Sequence, residues 1–109
     1  MTKIVIEKSK AGEYKGFTCK GHAGYASKGS DIVCASVSVL VINAINSMEK
    51  LAKENMSVDA DEKAGMIRCK LNGPLSERGK LLMDSMILGL SEIASQYGRR
   101  YLAIKFKEV

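Results

Sequence analysis

One histidine and one of three cysteines carry the chemistry that this sequence offers. His22 follows Gly21 at the end of an alternating, strand-like segment, and Cys34 comes twelve residues later. A helix from Ile32 to about Lys53, capped by Asp31 or Ser30, is expected, and if Asp31 is the cap, Cys34 occupies its third helical position. Backbone amides there lack intrahelical partners and the helix dipole favours an anion. Cysteine pKa values at such sites can fall from about 8.5 to roughly 3.5–7.5. A nearby imidazole can take the thiol proton, and the open amides can hold an oxyanion. The chemistry implied is acyl transfer through a thiolate. Each residue also has an ordinary reading: a polar loop histidine and a small buried hydrophobe.

Cys19 and Cys69 alternate with apolar neighbours, which reads as burial on strand faces. An odd, widely spaced set of three gives neither a disulfide framework nor a zinc spacing, so thiols in a reducing cytoplasm are expected. The stretch Gly24 to Ser30 superficially resembles a phosphate loop, but Lys28 precedes Gly29 where Gly-Lys-Ser/Thr is needed. Asp59, Asp61 and Glu62 crowd a hairpin turn and read as solvated carboxylates. No metal or cofactor is called for.

The elements that must position these residues follow from periodicity. Ile4 and Ile6 alternate with Lys3, Val5 and Glu7 in a strand over about 2–8, and Phe17 and Cys19 mark a second over about 14–20. Residues 21–30, with glycines at 21, 24 and 29, are expected to form a mobile loop. Val37-Ser38-Val39 alternates and is rich in β-branched residues, which would suit a strand. The apolar stretch continuing to Ala52 is too long for one and keeps helical spacing, so a buried helix is expected. Val58 and Ala60, then Ile67, Cys69 and Leu71, read as a hairpin turning at Ala64-Gly65. Pro74 suits the first turn of a second helix, striped by Leu82, Met83, Met86, Leu90, Ile93 and Tyr97 and ended by Gly98. Leu102, Ile104 and Phe106 form a last strand. The order is β-β-α-β-β-α-β, an α+β fold with a mostly antiparallel five-stranded sheet and two helices. At 109 residues, one domain over 1–109 is expected.

Net charge is +5. The cations are scattered and aromatics are few, so ordinary solvated charge is favoured over a nucleic-acid patch. A non-catalytic RNA- or ribosome-binding module is the main alternative to an enzyme, and a structural partner with Cys34 merely buried is another. Glu7 interrupts the apolar start too early for a secretory signal, and the longest apolar run, Val39 to Ile42, is too short to span a bilayer. Neither export nor a membrane is expected.

Gly21-His22-Ala23, Gly29, Asp31-Ile32-Val33-Cys34-Ala35 and Ser38 together resemble the defining block of the ribosomal-processing cysteine protease family. The resemblance implies a homodimeric cytoplasmic protease. Its members remove an N-terminal extension from the twenty-seventh large-subunit ribosomal protein, cutting after an aromatic pair. It implies Cys34 as nucleophile and His22 as general base and acid. In that reading the glycine-rich stretch 21–30 would be a gate that orders when substrate binds, and nucleic acid is not required. Asp31, Ser38, Gly21 and Gly29 match the block in supporting positions. Asp31 either caps the helix, the favoured role, or orients His22. Ser38, one turn below Cys34, either contacts the site or bonds back to its own helix.

Overall fold

The computed structural model describes residues 1–21 and 28–109, with residues 28–31 described through their backbone. Its elements are β1 (Thr2–Lys8), β2 (Tyr14–Lys20), α1 (Lys28–Lys50), β3 (Met56–Asp61), β4 (Met66–Leu71), α2 (Glu77–Tyr97) and β5 (Leu102–Glu108). The five strands form one sheet in the order β3-β4-β2-β1-β5. All neighbours are antiparallel except β1 and β5, which run parallel.

Strand alternation divides the sheet into two faces. Ile4 lies opposite Cys19 and Ile104, and Ile6 opposite Phe17 and Phe106. Phe17 is in turn opposite Cys69. This face meets both helices: Val33, Val37, Val41 and Met48 of α1 and Met83, Met86 and Leu90 of α2 share the core with Ile4, Ile6 and Phe17. Each such large apolar side chain contributes about 1.5–3 kcal/mol by leaving water. The Tyr14 hydroxyl donates to Asp84 and ties β2 to α2. The opposite face carries Lys3, Glu7, Lys20, Arg68 and Lys105, as expected of a sheet solvated on one side.

Three boundaries differ from the sequence reading. α1 begins at Lys28, so Lys28, Gly29 and Ser30 belong to the helix and not to a loop, and neither Ser30 nor Asp31 is its cap. Both are cap-type residues that also suit a first turn, where hydroxyls and carboxylates favour the dipole, and the chain winds up before reaching them. The helix ends at Lys50, not at Lys53, whose φ is +56°. The Glu54 amide returns to the carbonyl of Met48. The cap of α2 is Ser76, whose side chain accepts from the Gly79 amide at 3.2 Å, and Pro74 therefore precedes the helix. Gly98 does end α2, its amide donating to the Ala94 carbonyl.

Residues Ile32–Lys50 of α1 are long and apolar enough to cross a membrane by composition, with mean hydropathy 1.6. The inward stripe of that helix is the centre of the protein core, whereas Ile32, Val39 and Ile42 face outward and are exposed.

Candidate active site

Cys34 is the seventh residue of α1, not the third. A backbone amide that deep in a helix belongs to its internal ladder. The expectation that open helix-start amides adjoin Cys34 is therefore corrected: those amides belong to residues 28–31. What places the thiol in a cleft is tertiary. Its place on α1 sets it beside the start of β1 and the end of β2. There Thr2 and Gly21 line the same cleft as Cys34, a cavity of about 630 Å³. The Thr2 Oγ1 lies 3.5 Å from the Cys34 Sγ. Cys34 is partly exposed, in contrast to the buried Cys19 and Cys69.

Ser38, one turn further along α1, is exposed and lines the same cleft as Gly21 and Cys34. His22 lies outside the described residues. Gly29 and Asp31 are placed by their backbone in the first turn of α1.

The far wall comes from the β3–β4 hairpin. Ala60, Met66 and Ile67, with Val37 and Ile42 of α1, supply apolar lining, and Asp61 and Glu62 stand on its rim. The hairpin is stapled to the site. The Gly21 amide donates to the Gly65 carbonyl at 2.9 Å, immediately before His22. Gly65 has φ +62°, and a Cβ built on it would stand 2.0 Å from the Gly21 carbonyl oxygen. Sequence reasoning placed Gly65 in a turn but did not connect it to the site. Nor did it single out Thr2, which is 3% exposed and the one polar side chain buried among the described residues. A threonine where β1 alternation calls for an apolar residue was the available signal.

The other two thiols are buried. Burial, and secondarily the charge of Cys34, pushes Cys19 up to about 11. Burial alone pushes Cys69 up to about 11. Among the described residues, no group of three or more His, Cys, Asp or Glu side chains is placed to hold a metal ion.

The family model described as cysteine protease Prp matches residues 1–102. The ribosomal processing cysteine protease Prp of Bacillus subtilis is 30% identical over 101 residues, covering 89% of this chain and 90% of its own. A crystal structure of a Streptococcus mutans protein superposes with a TM-score of 0.88 at 28% identity, covering 100% of this chain and 99% of that one. The Prp of S. aureus, crystallised with a covalently linked product peptide, superposes at 0.87 with 22% identity, covering 98% of this chain and 100% of that one.

Proposed function

Since the chain belongs to the Prp family of ribosomal-processing cysteine proteases, we propose that it removes the N-terminal extension of a large-subunit ribosomal protein, the twenty-seventh, by cutting after an aromatic pair. Cys34 is the nucleophile and His22 the general base and acid. The observation that carries this reading is the placement of Cys34: among the described residues it is the partly exposed thiol, in a cleft that also contains the residue preceding His22. The Cys34 sulfur attacks the scissile carbonyl carbon, and the carbonyl electron pair moves onto oxygen. His22 holds the thiol proton and passes it to the departing amine. The resulting thioester is opened by water, which returns the thiol.

Substrate selection has support on both walls of the cleft. Val37, Ile42, Met66 and Ile67 offer apolar surface to aromatic rings. Ribosomal proteins are basic and so is this chain, so long-range charge does not draw them together. Asp61 and Glu62 supply a local acidic rim instead. A peptide with two adjacent aromatics before a small residue is expected to be cut after the second. Changing both aromatics to Ala should lower kcat/KM by about a hundredfold, in line with the loss of roughly 3 kcal/mol of burial. Equal rates on the two peptides, followed by chromatography and mass, would remove the aromatic specificity.

Ile32, Val39 and Ile42 leave the outer side of α1 apolar, and a second copy of the chain covers such a surface economically. Light scattering at micromolar concentration should give twice the chain mass of 11.8 kDa. A monomer under those conditions would contradict the dimer. A cytoplasmic setting agrees with three cysteines kept as thiols.

A further inference from the structure

We propose that Thr2 is a positioning residue for the Cys34 thiolate, its hydroxyl donating a hydrogen bond to the sulfur. This rests on Cys34 being the nucleophile. Thr2 is almost fully buried on the face of β1 otherwise occupied by Ile4 and Ile6. A hydroxyl there is unfavourable unless it is bonded, and its Oγ1 is 3.5 Å from the Cys34 Sγ. In the thiol state either atom can donate. A thiolate has no proton, so in the reactive state the hydroxyl is the donor, and donation to the charged form favours that form.

The residue is held in place at both ends. Its amide donates to the Tyr101 carbonyl at 2.9 Å, and its β-branched side chain has few rotamers. The same Oγ1 lies 2.6 Å from the position a Cβ on Gly21 would take. Thr2 therefore packs between the sulfur and the backbone that leads into His22. Other groups act on the sulfur too. Cys19 faces it from β2, and Asp61, Glu62 and Lys63 line the cleft from the β3–β4 turn. These remain unchanged when Thr2 is replaced, so comparing Val with Ser isolates the hydroxyl.

The test follows iodoacetamide alkylation of Cys34 against pH, with kcat and KM on an aromatic-pair peptide. Thr2→Val preserves shape and removes the donor. Its alkylation inflection should move to higher pH, and kcat should fall about three- to tenfold with KM within about twofold. Thr2→Ser keeps the hydroxyl and should follow the wild type in both readouts. A Thr2→Val protein matching the wild type, or a Thr2→Ser protein shifted as far as Thr2→Val, would overturn the inference. A fully active Cys34→Ala protein would instead remove the reading on which it rests, so the two failures are separable.

Discussion

Replacing Cys34 by Ala should abolish peptide cleavage, lowering kcat/KM by at least about three orders of magnitude, while the fold persists. Removing the nucleophile of a covalent mechanism removes the intermediate itself, and losses on the order of 10³–10⁶ are typical. The partly exposed thiol leaves little core packing behind, so circular dichroism should be unchanged and the denaturation midpoint nearly so. Cys19→Ala and Cys69→Ala provide the contrast. Both side chains are buried, so truncation should cost about 1 kcal/mol of stability without removing turnover. Activity that follows Cys34 alone, among three cysteines, assigns the nucleophile.

Gly65→Ala should produce the second large loss, at a residue outside the reacting groups. Its φ of +62° costs a side-chain-bearing residue roughly 1–2 kcal/mol. In addition the new methyl would collide with the Gly21 carbonyl, at 2.0 Å. Backbone cannot yield as a flexible side chain does, so the β3–β4 turn and the end of β2 must separate. A displacement of about 1 Å in a positioned group can cost 10²-fold in rate, and a decrease of that order in kcat/KM is expected. Gly12→Ala is the control. Gly12 also has positive φ, +86°, but a Cβ there meets nothing within 4 Å, and it stands in the β1–β2 turn. It should lose stability and keep its rate. Equal rates for the two variants would show that the Gly21–Gly65 contact does not position the site.

Elements governed by local pattern were legible. The strands at 2–8 and 14–20 follow from alternation, a signal contained within each segment, and Gly98 marks a helix end by its backbone freedom. The start of α1 was not legible. Ser30 and Asp31 are good caps and equally good first-turn residues, and residue type alone does not distinguish the two. That ambiguity moved Cys34 from the third to the seventh helical position and removed the open amides from beside it. The cleft itself was beyond sequence reasoning for a different reason. Thr2, Gly65 and Met66 come to line one cleft with Cys34 through sheet order and helix placement, and no short-range spacing reports proximity between residues that far apart in the chain. His22 was visible in the sequence as the lone histidine and lies outside the described residues.

The central claim is that Cys34 is the reactive thiol, and the most direct measurement is competitive alkylation in the native state. The folded protein is treated briefly with iodoacetamide at near-neutral pH, and the modified sites are mapped by peptide mass. Cys19 and Cys69, held near 11 by burial, carry about a hundredfold less thiolate than ordinary thiols and are shielded as well. Cys34 should label first, by at least about tenfold, and its labelling should track loss of peptidase activity. If Cys34 labels no faster than Cys19 and Cys69, or if full labelling of Cys34 leaves turnover intact, Cys34 is not the nucleophile.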